Sequence, residues 1–110
     1  MAKSKVETYL GFCIRAQKIL FGVDNVESAK RGVRLLLCDE TLGESSLKAL
    51  LKSKEKFACP LVMAEAGVLS ELLHRPSVKA VAVKDEHLAA AILSALKDEP
   101  QLKLYSGGNN

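Results

Sequence analysis

Several common signatures are missing from this sequence. It has no tryptophan, three prolines and three cysteines in 110 residues, and no C-x-x-C pair. An odd, scattered cysteine count argues against a disulfide framework. Because Cys13, Cys38 and Cys59 each sit among apolar neighbours, we expect buried free thiols in a reducing compartment. His74 and His87 stand at no metal-ligand spacing from a cysteine, so the sequence predicts no metal site.

Long apolar segments are missing too. No stretch stays apolar over the roughly 20 residues that cross a bilayer. The first five residues lead directly into an amphipathic pattern, without the apolar core of a signal peptide. We therefore expect a soluble, cytoplasmic protein with no membrane partner. A 48% share of hydrophobic residues in 110 residues predicts a single domain, residues 1–110, with one core.

Catalytic motifs are also absent. The chain has no G-x-G-x-x-G, no P-loop and no G-x-S-x-G. Asp39-Glu40 and Asp85-Glu86 are adjacent carboxylates, but each pair precedes a predicted helix, where capping and the helix dipole explain it. An acid–base site around His87 would have no nucleophile beside it. The sequence therefore predicts no enzymatic activity and no cofactor, and a small enzyme is the least favoured class of function.

Positive charge is concentrated in the first third of the chain. The net charge is +3, yet residues 1–34 hold seven Lys or Arg and three acidic residues, which is a net charge of +4. The remaining residues hold nine basic and ten acidic residues, a net charge of −1. This division favours a polyanion partner near the start of the chain. A chance asymmetry of a solvated surface is the alternative.

Two kinds of apolar pattern alternate along the chain. Short apolar runs predict a short strand at 19–21 and buried strands at 34–38, 61–63 and 80–83, while helical spacing predicts helices between and around them. The alternation predicts an α/β protein, specifically a three-layer α/β/α sandwich with a single four-stranded mixed sheet. Residues from about 101 to 110, which include Ser106-Gly107-Gly108, are expected to form a disordered tail.

Residues 15–27 organise the rest of the chain. They read as a helix end, a short strand, a turn at Gly22 and the start of a second helix. Gly22 can adopt a positive φ, and Asp24 begins a capping-box pattern with the glutamate three residues later. A helix start presents free N–H groups and a positive dipole end to a phosphate or a base edge. With Lys18 and Arg34 close in sequence, this turn predicts nucleic-acid binding.

Four segments carry a resemblance that covers most of the chain. Residues 10–18 read like an opening helix of the form L-G-L-A-x-R-A-x-K, and Gly22 follows the next strand. Residues 59–62 resemble a V-P-V strand entry, and residues 80–85 a hydrophobic strand before a last helix. Together they resemble the kink-turn-binding ribosomal protein family of the L-seven-Ae type, and most of all its small bacterial YlxQ-like branch. The resemblance implies a ribosome-associated protein that recognises kinked or internal-loop RNA, such as ribosomal RNA, by its shape.

The resemblance also implies two RNA-contacting loops. In the first, Asp24 and Asn25 occupy the positions of an Asn-Glu pair, and Ser28 occupies the position of a lysine. In the second, residues 74–78, Arg75 would stack on a base or meet a phosphate, and Val78 would cover an unstacked base. The candidate RNA-binding residues are therefore Lys18, Gly22, Asp24, Asn25, Ser28, Arg34, Arg75 and Val78.

Three of these residues have simpler explanations that stay open. Asp24 can cap its helix without touching RNA, Arg75 can be an ordinary exposed arginine, and Val78 can be buried at a strand edge. The departures from the family pattern at Asp24 and Ser28 also favour a second hypothesis. In it, the same fold binds a protein partner and has reduced or lost RNA binding.

Overall fold

The computed structural model describes residues 4–105. Five helices and five strands follow one another along the chain, with a short 3-10 turn at Leu96–Asp98. The helices are α1 (Lys5–Arg15), α2 (Val23–Ser28), α3 (Glu44–Phe57), α4 (Val68–Leu73) and α5 (Glu86–Ala95). The strands are β1 (Ile19–Phe21), β2 (Leu35–Asp39), β3 (Leu61–Ala64), β4 (Ala80–Val83) and β5 (Leu102–Leu104).

The strands form one open, mixed, five-stranded sheet in the order β1-β4-β2-β3-β5. β2 and β3 run parallel, and the other neighbouring pairs are antiparallel. The prediction of a four-stranded sheet is wrong by one strand, because β5 pairs with β3 and places Leu104 opposite Val62. The expected tail from about residue 101 is therefore partly a strand, while residues 106–110 lie outside the described range. The segment Leu102-Lys103-Leu104 was not predicted as a strand because a lysine interrupts the apolar run that marks the other strands.

Strand β2 lies at the centre of the core, as its apolar sequence predicts. All five of its residues are buried. Because side chains alternate along a strand, Leu35 and Leu37 join a cluster with α1, α4 and α5, whereas Leu36 and Cys38 join a second cluster with α2 and α3. The sheet is thus covered by helices on both faces.

Side chains cap two of the helices, and the predicted cap at Asp85 is confirmed. The Ser4 hydroxyl accepts a hydrogen bond from the Glu7 backbone N–H at 3.2 Å, and Asp85 accepts one from the Leu88 N–H at 2.8 Å. The Glu7 carboxylate does not return to Ser4 but contacts His74 Nε2 at 2.5 Å. This contact joins α1 to the residue that ends α4.

The three thiols are buried and unpaired, as predicted. Cys13 and Cys38 are fully buried and Cys59 is 6% exposed. Burial, with a smaller contribution from the nearby charges of Asp85 and Asp39 respectively, raises the pKa of Cys13 and of Cys38 to about 11. None of the helices within residues 4–105 combines the length and the apolar character needed to cross a membrane.

Candidate RNA-binding surface

The turn after β1 has the conformation that the sequence predicts for Gly22. Its φ is +90° and its ψ is 147°, a region that residues with a Cβ rarely enter. Its N–H donates to the Ala80 carbonyl at 2.8 Å, which fixes the turn to the start of β4. Its carbonyl accepts from the Val26 N–H at 3.1 Å, so α2 begins at the glycine itself.

The predicted cap at Asp24 is wrong. Gly22 occupies the N-cap position, and Asp24 lies inside the first turn of α2 with its side chain exposed. The helix starts two residues earlier than the capping-box pattern suggests, because the positive φ of Gly22 turns the chain directly out of the strand. The Asp24 carboxylate still lies near the positive end of the helix dipole. It can also accept a hydrogen bond from a ligand, since it caps nothing.

Asn25 is held in place by the strand that precedes its helix. Its Nδ2 donates to the Phe21 carbonyl at 2.8 Å, and the side chain is otherwise exposed. A carboxamide offers two N–H donors and one acceptor oxygen. This hydrogen bond uses one donor, so Oδ1 and the second N–H remain free for the edge of a base.

The loop between α4 and β4 lies against the same turn. The guanidinium carbon of Arg75 is 4.3 Å from the centroid of the Phe21 ring, which places a cation on the residue before Gly22. His74 and Ser77 have φ values of +56° and +68°, so the loop is tightly folded. Val78 is half-buried and packs against the core cluster of α1, α4 and α5. This packing agrees with the simpler of the two roles proposed for Val78, burial at a strand edge.

The two loops enclose one crevice with a volume of about 440 Å³. Ten residues line it: Phe21, Gly22, Val23, Asp24, Asn25, Leu42, Ser46, Ser77, Lys79 and Ala80. The structure thus brings Gly22, Asp24 and Asn25 together with the second loop. Ser46 and Lys79 also line the crevice, although the sequence patterns did not identify them as candidate site residues. A basic residue directly before a strand is a weak signal for Lys79, and Ser46 has none.

Asp39, the last residue of β2, combines a buried carboxylate with a backbone hydrogen bond to the second loop. Asp39 is 2% exposed and accepts hydrogen bonds from the N–H groups of Thr41 (2.7 Å) and Gly67 (2.8 Å). Burial opposes the charged form, but these hydrogen bonds and that of the Thr41 hydroxyl outweigh it and lower the pKa of Asp39. The Asp39 N–H also donates to the Lys79 carbonyl at 2.9 Å, which anchors the end of the second loop.

Three predicted site residues lie away from the crevice. β1 runs antiparallel to β4, so Gly22 meets Ala80 while the carbonyl of Lys18 accepts from the Lys84 N–H at the opposite end of the strand pair. Arg34 lies at this second end as well, since its N–H donates to the Val83 carbonyl. Ser28 is the last residue of α2, at the helix end remote from Gly22. Closeness in sequence therefore did not translate into closeness in space.

Comparison with known proteins gives a structural match alone. No protein-family model matches the chain, and no curated protein matches it either. A solved structure of a protein with unknown function from Bacillus halodurans is similar, with a TM-score of 0.76 and 20% sequence identity. The match covers 86% of this chain and 99% of the other. At this identity the likeness shows a shared fold, so any function must be argued from the surface itself.

Proposed function

We propose that this chain is a non-enzymatic RNA-binding protein, associated with the ribosome, that recognises kinked or internal-loop RNA by shape. In this proposal the two helix-covered faces of the sheet make a three-layer α/β/α sandwich that carries the RNA surface at one end of β1 and β4. The observation that supports it best is the single crevice that the Gly22 turn and the 74–79 loop form together. These are the two segments for which the sequence resemblance implies RNA contact.

The groups around the crevice suit an irregular RNA. Asn25 offers a free oxygen and a free N–H to a base edge. Ser46 and Ser77 offer hydroxyl groups, and the exposed Lys79 offers a cation to a phosphate. Sequence-specific RNA recognition relies on bases that have left a regular stack. A crevice with a few polar groups fits such a base better than it fits a continuous helix.

The compartment of the proposed function is the cytoplasm. Three buried, unpaired thiols are typical of a protein kept under reducing conditions. Structured cytoplasmic RNA, including ribosomal RNA, is therefore the proposed partner.

The test compares one side chain on a bent and a straight RNA. Wild type, Asn25→Ala and the control Ser45→Ala are titrated with a kink-turn RNA and with a plain duplex at several salt concentrations. Ser45 is exposed beside Ser46 but does not line the crevice. A bidentate base contact is worth about 1–3 kcal/mol in DNA recognition. We expect Asn25→Ala to lose affinity of that order for the kinked RNA alone, and Ser45→Ala to match wild type.

A protein partner at the same crevice is the second candidate function. Two observations favour it: the half-buried Val78 packs against the core, and the Arg75 guanidinium already covers the Phe21 ring. Both groups are thereby less available to RNA than the resemblance implies. If wild type shows no preference for kinked RNA and Asn25→Ala behaves like wild type, the crevice does not read RNA and this second function replaces the first.

A further inference from the structure

Basic side chains converge at the end of the sheet opposite the crevice. The centre of this region is the segment 29–34 between α2 and β2, which contains Lys30, Arg31 and Arg34 and no acidic residue. All three of these side chains are exposed.

Three contacts bring further cations to the segment. Lys56, at the end of α3, donates through Nζ to the Ala29 carbonyl at 2.7 Å. A Cβ at Gly32 would lie 3.5 Å from Cε of Lys84, so this lysine runs along the segment. The Lys84 N–H in turn donates to the Lys18 carbonyl at 2.8 Å. We name the resulting set the basic surface; it consists of Lys18, Lys30, Arg31, Arg34, Lys56 and Lys84.

The charge of the basic surface is not cancelled by ion pairing. Within residues 4–105 the ion pair found joins His74 and Glu7, which lie elsewhere. Four acidic residues lie within three positions of these cations in the sequence: Glu27, Glu55, Asp85 and Glu86. The Asp85 carboxylate is engaged as the cap of α5, and Glu86 lines a crevice with Arg34 without forming an ion pair.

The spacing of these cations indicates which kind of anion the basic surface can bind. They come from four separate segments, and all of them except the half-buried Lys84 are exposed. The neighbouring crevice of about 240 Å³ has mainly apolar walls, among them Val33, Phe57 and Leu93, so it is unsuited to a single small anion. Spread, exposed cations match a repeating array of phosphates, where each contact releases condensed counterions.

We propose that the basic surface is a second binding site, which holds the phosphate backbone of a nucleic-acid duplex without reading its sequence. The site does not depend on the function proposed above, because a straight duplex offers no kink or internal loop to the Gly22 crevice. Where both sites act on one RNA, the crevice would set the position and the basic surface would hold a neighbouring stem.

The experiment removes charge at the basic surface and, separately, at a remote surface. The test variant is Lys30→Gln/Arg31→Gln/Arg34→Gln. The matched control is Lys5→Gln/Lys97→Gln/Lys103→Gln, three exposed lysines on α1, on the turn after α5 and on β5, which is the opposite edge strand. Binding to a plain RNA duplex and a plain DNA duplex is measured from 50 to 200 mM salt, and thermal melting confirms that both variants fold.

We expect wild type and the control to bind both duplexes with steep salt dependence. Each phosphate contact contributes about 0.9 to the slope of log affinity against log salt concentration, which is roughly a 3.5-fold loss of affinity over this salt range. The test variant lacks three contacts, so its affinity should fall about 40-fold less than that of wild type as the salt rises. Two results would overturn the proposal: a folded test variant with the wild-type slope, or wild type that binds anionic lipid vesicles but neither duplex. Asn25→Ala should keep wild-type duplex affinity, so a failure of the crevice and a failure of the basic surface are separable.

Discussion

The guanidinium of Arg75 lies over the ring of Phe21, 4.3 Å from its centroid. The contact joins the loop before β4 to the end of β1, and so fixes one wall of the crevice. Because Phe21 precedes Gly22, the contact also places a positive charge next to the glycine turn. An exposed cation–π contact is worth about 0.5–1 kcal/mol.

A double-mutant cycle should detect this contact. Phe21→Leu, Arg75→Gln and the double variant are unfolded in urea, and the coupling free energy is taken from the four unfolding curves. We expect a coupling of about 0.5–1 kcal/mol, because each single variant removes the same contact. Strictly additive changes would show that Arg75 is an ordinary exposed arginine.

Gly22 and Gly11 should respond in opposite directions to alanine. Gly22 has a φ of +90°, so Gly22→Ala should lower the free energy of unfolding by about 1–3 kcal/mol through backbone strain. Gly11 lies inside α1 with open space where a Cβ would be, so Gly11→Ala should raise it by about 0.5–1 kcal/mol. Urea denaturation measures both. Equal changes of one sign in the two variants would contradict the turn geometry.

Leu36 tests the core between β2 and the helices α2 and α3. It is fully buried, so Leu36→Ala should cost about 2–5 kcal/mol of stability through lost burial and the cavity left behind. Leu104→Ala is the matched control, since Leu104 is 53% exposed and should cost roughly 0.5 kcal/mol or less. Similar losses in chemical denaturation would show that β2 is not the central buried strand.

Asp39 should make stability depend on acid pH. Its pKa is lower in the folded chain than in the unfolded chain, so the ionised carboxylate stabilises the fold above the ordinary aspartate pKa of about 3.9. That stabilisation is lost as the pH falls through the lowered folded pKa. Asp39→Asn should cost about 1–3 kcal/mol at pH 7 and flatten the acid limb of the curve. An unchanged acid limb in melts from pH 7 to pH 2 would argue against this role.

Cys13 and Cys38 should react slowly in the native state. Burial raises the pKa of both thiols to about 11, and the thiolate is the reactive form. Alkylation at pH 8 should therefore be slow in buffer and fast in urea, as followed by mass spectrometry. Rapid native labelling of both thiols would show that the core opens readily.

Much of the fold could be predicted from local pattern. β1 and β4 lie where the short apolar runs placed them, and the cap at Asp85 forms as its position before a predicted helix suggests. The burial of the three cysteines follows from their apolar neighbours in the same way. These features depend on residues within a few positions of each other, and the sequence displays such relationships directly.

The sequence predicted the part of the candidate site that belongs to the Gly22 turn, but not the part that other segments contribute. Gly22 and Asn25 could be found because they belong to a single turn, whereas Ser46 joins them through the packing of α2 on α3. The capping role given to Asp24 is wrong because a capping-box pattern does not show that the preceding glycine already starts the helix. Strand β5 was missed because Leu102-Lys103-Leu104 carries a lysine at its centre instead of a continuous apolar run, and its place in the sheet comes from pairing with the free edge of β3.

The sequence by itself determined the α/β class, the central buried strand and the glycine turn, since each follows from local spacing and backbone preference. The tertiary structure alone decided which charges lie together. Lys18 is four residues from Gly22, yet the antiparallel pairing of β1 with β4 sends these residues to opposite ends of the sheet. The pairing of β4 with β1 on one side and with β2 on the other gathers Lys18, Arg34 and Lys84, because strand register, rather than distance along the chain, sets which residues become neighbours.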